Sequence, residues 1–268
     1  VLSPFRDSPA AQVGILLGDV LLAVDDLLII PEMDISQDIV ARIRGKVGTD
    51  VVLTVQRGDE TLTFTITRQV IDIPSVTWRL LEQAPTLGYV HVSSFTDRTV
   101  DELEEALDEL LSSGAQGLIL DLRGNGGGLL QAAIDVAGHF LDGGEVLYEK
   151  RRGQVESHKA SEGGRALEIP LVVLVNQGTA SASEIVAGAI QDRGRGKLIG
   201  ETTFGKGSVQ WIFNLSDGSS LHVTAARWYT PNHHQLDGVG LTPDLVVETD
   251  PDSGVDVQLE RAITFLQE

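Results

Sequence analysis

Residues 117–141 read GLILDLRGNGGGLLQAAIDVAGHFL and hold a strand, a glycine-rich turn and a helix in succession. Leu118–Leu122 is apolar except for Asp121, which is typical of a strand buried on both faces of a sheet. Leu129–Leu141 predicts a helix. A buried strand that leads through a turn into a helix is the repeating unit of α/β proteins, so this stretch predicts an α/β core.

The same alternation continues on both sides of this stretch. Thr99–Glu102 has the capping-box pattern that opens a helix, and Gly114 is placed to end it. The remaining elements of the core are predicted as strands at Val90–Phe95, Pro170–Val175 and Leu221–Trp228 and as helices at Ala182–Asp192 and Val255–Phe265.

The first 70 residues predict a separate, β-rich module. Asp50–Gln56 and Thr61–Thr67 alternate apolar and polar residues as strands do, while Ile35–Ile43 has helical spacing with Asp34 or Ser36 as its cap. We therefore expect two domains, at residues 1–70 and 71–268, with a connector at Ile71–Pro85 opening the second.

Composition excludes several classes of protein. The 20 Lys and Arg against 39 Asp and Glu give a net charge of −19, which repels nucleic acid and anionic lipid. The chain has no cysteine, and no stretch approaches the about 20 apolar residues of a membrane span. The beginning of the chain lacks an initiator Met and the features of a signal peptide, so we expect that upstream sequence has been removed.

Three polar segments carry the residue types of a catalytic site. Residues 124–128 include four glycines, whose backbone N–H groups can point at a negative oxygen, although a turn also needs glycine merely to change direction. Ser181 precedes a predicted helix, where it is either a nucleophile or a simple helix cap, because Ser181–Glu184 is also a capping box. Lys206 lies between two glycines and is either a general base in a water-poor pocket or an ordinary solvated lysine.

Taken together, these segments form a specific set of motifs. They are Asp121-Leu-Arg-x-Asn-x-Gly-Gly128, Gly178-Thr-Ala-Ser-Ala-Ser-Glu-Ile185, Gly200-Glu-x-Thr-Phe-Gly-Lys-Gly-x-Val-Gln210, Tyr229-Thr-Pro231 and Gly238-Val-Gly-Leu-Thr-Pro-Asp244. The set closely resembles the C-terminal processing peptidases (tail-specific or carboxyl-terminal proteases), which are Ser/Lys-type serine proteases with a PDZ domain. Ser8-Pro-Ala-Ala11 and Gly14-x-x-x-Gly-Asp-Val-Leu-Leu-Ala-Val-Asp25 resemble that PDZ domain.

The resemblance implies a crotonase-like α/β protease core behind a small PDZ-like domain that is truncated at its N-terminus. It implies Ser181 as nucleophile, since the family's serine lies 25 residues before the motif lysine, with Lys206 as base and Gln210 orienting that lysine. The backbone N–H groups of Gly127 and Ala182 would form the oxyanion hole. No metal or cofactor is implied.

The implied function is that of a serine endopeptidase, which cuts protein substrates near their C-termini through an acyl-enzyme. The implied location is extracytoplasmic, in the periplasm, cell envelope or thylakoid lumen. A non-catalytic protein that binds ligands or peptides on the same fold is the alternative. The six histidines are expected to be structural, because no G-x-S-x-G or H-E-x-x-H motif accompanies them.

Overall fold

The computed structural model describes residues 4, 8–30, 33–71, 73–215, 219–249 and 254–268. The chain forms two compact units, Val1–Pro74 and Ser75–Glu268. Of the predicted module, residues 1–3, 5–7, 31 and 32 lie outside the described part of the chain.

The N-terminal unit is a four-stranded antiparallel sheet in the order β2-β1-β3-β4. Its strands are β1 (Val20–Val24), β2 (Leu27–Leu28), β3 (Asp50–Arg57) and β4 (Glu60–Thr67), and its helices are α1 (Pro9–Gln12), a π-helical segment (Ile35–Val40) and α2 (Ala41–Ile43). Asp34 caps the π-helical segment by accepting a hydrogen bond from the Gln37 N–H at 2.7 Å, which confirms one of the two predicted caps. Alternate residues of β3 and β4 face the core of the unit.

An ion pair between the buried Asp19 and the partly exposed Arg57 stabilises this unit. The Arg57 guanidinium donates to both carboxylate oxygens of Asp19 at 2.7 Å and to the carbonyl oxygen of Gly14. These hydrogen bonds lower the pKa of the buried Asp19 carboxyl to about 2, so the pair stays charged throughout the neutral range.

The second unit is built on a six-stranded sheet in the order β14-β11-β10-β7-β6-β5. The strands are β5 (Val76–Leu81), β6 (Ala84–Val92), β7 (Gly117–Asp121), β10 (Leu171–Val175), β11 (Lys197–Gly200) and β14 (Leu245–Val246). All neighbours pair in parallel except β5 and β6. The carboxyl ends of β7, β10 and β11 therefore meet at one edge of the sheet.

Strand periodicity divides the apolar residues between two cores. Leu118, Leu120 and Val173 point to the face covered by α3 (Thr99–Ser112), α4 (Leu130–Gly138) and α5 (Ala182–Asp192). Ile119 and Leu174 point to the opposite face, which packs against α6 (Val257–Gln267). Helices on both faces explain why these strands are apolar without alternation, as the sequence predicts.

A third sheet, β12-β13-β8-β9, is antiparallel. Its strands are β8 (Glu145–Arg151), β9 (Gln154–Lys159), β12 (Ser208–Asn214) and β13 (Ser220–Tyr229). The expected connector at Ile71–Pro85 is wrong in its second half, because Val76–Leu81 is a strand that pairs with β6. Its first and last residues, Val76 and Leu81, are buried in the two cores of the second unit.

Candidate active site

Three loops meet where the parallel strands end, and hydrogen bonds join each loop to the next. They are residues 122–129 after β7, residues 176–181 after β10 and residues 201–207 after β11. Thr179 Oγ1 donates to the Leu122 carbonyl oxygen at 2.8 Å, and the Phe204 N–H donates to the Thr179 carbonyl oxygen at 3.0 Å. In open α/β sheets this edge is where binding sites lie. The three predicted segments are thus brought together.

Ser181 stands at the start of α5 in a strained backbone conformation. Its φ is 60° and its ψ is −120°, a region that residues other than glycine rarely adopt and that costs about 1–3 kcal/mol. Its hydroxyl makes no hydrogen bond to the first turn of the helix. Ser181 and Glu184 nevertheless form the predicted capping box, in which the Glu184 carboxylate accepts a hydrogen bond from the Ser181 N–H, and the hydroxyl is held beside the positive end of the helix.

Gly127 packs directly against Ser181. A Cβ at position 127 would lie 2.8 Å from Ser181 Cβ, 2.9 Å from the Ala180 carbonyl oxygen and 3.0 Å from the Ala182 nitrogen. The residue also has a φ of 103°, so both contact and conformation require glycine. The glycine-rich turn therefore places its backbone in contact with Ser181.

Asn125 joins residues 122–129, the glycine loop, to residues 176–181, the loop that ends at Ser181. This residue is fully buried, and its carbonyl oxygen accepts hydrogen bonds from the Ala180 N–H and from Ser183 Oγ, each at 2.9 Å. The hydroxyl of Ser183 is thus used for structure, which separates the two serines chemically. The sequence pattern contains no signal for this role of Asn125.

The two predicted oxyanion donors differ in whether the backbone N–H group already has a hydrogen-bond acceptor. Ala182 is the first residue of α5, where a backbone N–H has no acceptor inside its own helix. The Gly127 N–H instead donates to the Asn125 Oδ1 atom at 2.9 Å. An oxyanion would therefore have to replace the Asn125 side-chain oxygen as the acceptor of the Gly127 N–H.

Glu184 links Ser181 to the lysine loop. It is fully buried, and its Oε2 atom accepts hydrogen bonds from the Ser181 N–H at 2.9 Å and the Lys206 N–H at 2.8 Å. Its Oε1 atom accepts hydrogen bonds from the Thr203 hydroxyl and from the Gly205 N–H. One carboxylate oxygen thus joins the backbones of residues 181 and 206. The capping-box pattern accounts only for the bond to Ser181.

Lys206 contacts the site by its backbone N–H, which donates to Glu184. The Lys206 side chain is exposed, and no hydrogen bond joins its Nζ atom to the Ser181 hydroxyl, both residues being in the described part of the chain. Gln210 lies on β12 opposite Thr224 and is also exposed. Base catalysis would require the lysine side chain to turn toward Ser181.

We expect Glu184→Gln to destabilise the fold and to lower any activity of the site. An amide nitrogen in place of one carboxylate oxygen would face backbone N–H donors and leave them without an acceptor. Because hydrogen bonds to charged groups contribute about 1.5–3 kcal/mol, the melting temperature should fall by several degrees. Thermal unfolding measures this, with Glu82→Gln in the exposed β5–β6 turn as the control. Equal melting temperatures for both variants would contradict the linking role.

Four of the described histidines contact residues outside the three loops. His139 lies near Glu104, His158 near Glu149 and His234 near Asp192, while His233 stacks on Tyr148.

Among the described residues, no group of three or more His, Asp or Glu side chains could hold a metal ion. In the same part of the chain, no helix is long and apolar enough to cross a bilayer.

The sequence matches two family profiles: peptidase family S41 over residues 86–247 and a PDZ domain over residues 1–57. The chain belongs to peptidase family S41. It is 42% identical over 277 residues to a carboxyl-terminal-processing protease of Synechocystis, covering 99% of this chain and 64% of that protein. It is 38% identical over 252 residues to the chloroplastic carboxyl-terminal-processing peptidase 2 of Arabidopsis thaliana, covering 91% of this chain and 48% of that one.

The fold agrees with this S41 membership. The solved structure of a photosystem II D1 C-terminal processing protease matches with a TM-score of 0.60 and 34% identity, covering 100% of this chain and 72% of that one. The predicted family and the predicted α/β core with a PDZ-like domain are confirmed. The chain spans 64% of the Synechocystis relative and 48% of the Arabidopsis relative, so both relatives contain sequence beyond the matched region.

Proposed function

We propose that this S41 chain is a serine endopeptidase that hydrolyses peptide bonds near the C-termini of proteins, with Ser181 as nucleophile and Lys206 as general base. The observation that carries the proposal is the buried Glu184 carboxylate, one oxygen of which accepts hydrogen bonds from the backbones of both residues. A strained serine, held next to a loop that presents a lysine, is the arrangement that a Ser/Lys enzyme needs.

In the proposed reaction, the Lys206 side chain turns inward, and its neutral amine accepts the Ser181 proton. The serine oxygen attacks the carbonyl carbon of the scissile peptide bond, and the C–N bond then breaks as the Lys206 ammonium protonates the leaving amine. Water attacks the resulting acyl-enzyme and regenerates Ser181. Gln210 orients the lysine in this scheme.

The developing oxyanion is bound by the backbone N–H groups of Ala182 and Gly127. The first lies at the positive end of α5, which favours a negative oxygen. The second becomes available when the oxyanion replaces the Asn125 side-chain oxygen as its acceptor. Loss of one such donor typically costs about 10²–10³ in turnover.

The proposed substrates are proteins or peptides with accessible C-terminal tails, and the proposed location is extracytoplasmic. The names of the relatives as carboxyl-terminal-processing proteases support the substrate class, and the chloroplastic relative is compatible with a luminal setting. The PDZ-like unit is the part of the chain suited to sensing a substrate tail before cleavage.

The test is covalent labelling with a fluorophosphonate, which reacts with activated serines, followed by mapping of the modified peptide. We expect the label on Ser181, and we expect a fluorogenic peptide to be hydrolysed by the unlabelled protein only. Because the Ser183 hydroxyl already donates to the Asn125 carbonyl oxygen, Ser183 should stay unmodified. Peptide binding without labelling or hydrolysis would instead establish the non-catalytic alternative.

A further inference from the structure

A single arginine connects the C-terminal helix α6 to the glycine loop. Arg123 opens the loop, and its Nη1 and Nη2 atoms donate to the two carboxylate oxygens of Asp256 at 2.8 Å each. The same guanidinium donates to both oxygens of Asp121 at the end of β7. Arg123 is thus held between the strand that precedes the loop and a helix 133 residues further along the chain.

The groups around this arginine are themselves held in place. The buried Gln258 accepts from Arg123 Nη1 at 3.1 Å and donates to the Val247 carbonyl oxygen at 2.8 Å. Burial raises the pKa of the Asp256 carboxyl, but the hydrogen bonds from Arg123 and from the Leu259 and Gln258 N–H groups, together with the charge of Arg123, outweigh burial and hold that pKa below its ordinary value. The Asp256 carboxylate is therefore charged at neutral pH, and its contact with Arg123 is a bidentate ion pair.

Hydrogen bonds hold the loop at several points, among them Gly124 N–H to Asn176 Oδ1 at 2.9 Å and Phe95 N–H to the Gly127 carbonyl oxygen at 3.0 Å, but Arg123 is its only charged residue. Of residues 123–128, only Arg123 and Asn125 carry side chains, because the other four are glycines with the widest backbone freedom. Asn125 fastens the middle of the loop to the loop of Ser181. Arg123 fastens its beginning, so the position of this guanidinium helps to determine where the Gly127 N–H lies.

We propose that Asp256 is a positioning residue for turnover: through Arg123 it holds the glycine loop at the place where the oxyanion forms. This inference rests on the proposed function. Docking of α6 depends mainly on its apolar residues Leu259, Ala262 and Ile263, which pack on the sheet independently of the carboxylate. Asp256 therefore affects catalysis more than it affects the fold.

The test compares Asp256→Asn with Glu260→Gln, an exposed residue of the same helix that undergoes the same change of charge. Asparagine also caps helices well, so the hydrogen bond that Asp256 accepts from the Leu259 N–H can be kept. We expect Asp256→Asn to lower kcat about tenfold with KM within about twofold, because the oxyanion exists only in the transition state. The Glu260 variant should match the wild type.

A double-mutant cycle shows whether the effect passes through the arginine. If it does, Asp256→Asn should add less than twofold to the loss already caused by Arg123→Gln. Independent effects that multiply, or an Asp256→Asn variant with a lower melting temperature and an unchanged kcat, would overturn the inference. If the wild type neither hydrolyses peptide nor labels at Ser181, the proposed function itself fails, which is a separate outcome.

Discussion

Ser181→Ala is expected to lower peptide hydrolysis by at least about 10⁴-fold while leaving the melting temperature within about 2 °C of the wild type. Without the serine oxygen no acyl-enzyme can form, whatever the state of Lys206. Stability should be spared because the Ser181 hydroxyl makes no hydrogen bond to the first turn of α5. The measurement pairs a fluorogenic peptide assay with thermal unfolding.

Ser183→Ala is the matched control, two residues away on the same helix. Its hydroxyl donates to the Asn125 carbonyl oxygen, which keeps the Ala180 N–H as a second donor. Removal should cost about 1 kcal/mol of stability and leave activity within about tenfold of the wild type. An inactive Ser183 variant beside an active Ser181 variant would show that the nucleophile has been assigned wrongly.

Much of the fold could be predicted because each buried strand is marked by an apolar run within its own residues. The uninterrupted apolar runs at Leu118–Leu122 and Pro170–Val175 predict strands covered on both faces, and two separate cores provide that cover. The hairpin of β8 and β9 was not predicted, since most of β9 is exposed and its residues are mainly polar. Val76–Leu81 was missed because it was assigned to a connector.

The three segments of the candidate site could be located from their motifs, but the contacts between them could not. Glu184 is readable as half of a capping box, whereas its bonds to Thr203, Gly205 and Lys206 join residues about 20 positions apart. The pairing of Arg123 with Asp256 is still more distant in sequence. The family resemblance selected Ser181 over Ser183 by its distance from the motif lysine, and the hydrogen bond from Ser183 to Asn125 adds a physical reason for that choice.

Lys206→Arg is expected to be as damaging as Lys206→Ala, with a loss of about 10³-fold or more in kcat for both. A guanidinium stays protonated in proteins, so it cannot accept the proton of Ser181 even though it keeps the positive charge. The loop itself should survive both changes, because Lys206 is anchored to Glu184 by its backbone N–H and not by its side chain. Equal loss in the two variants would identify proton acceptance, and not charge, as the property that the site requires.

The control is Lys197→Arg, the same substitution at an exposed lysine that pairs with Asp244 at 2.8 Å, a contact that arginine can also make. Activity and melting temperature should stay at wild-type values there. If Lys206→Arg retained turnover within tenfold of the wild type while Lys206→Ala lost it, the lysine would act by its charge alone. A different group would then have to remove the proton from Ser181. The Lys206 side chain would act from the exposed position that it has in this structure.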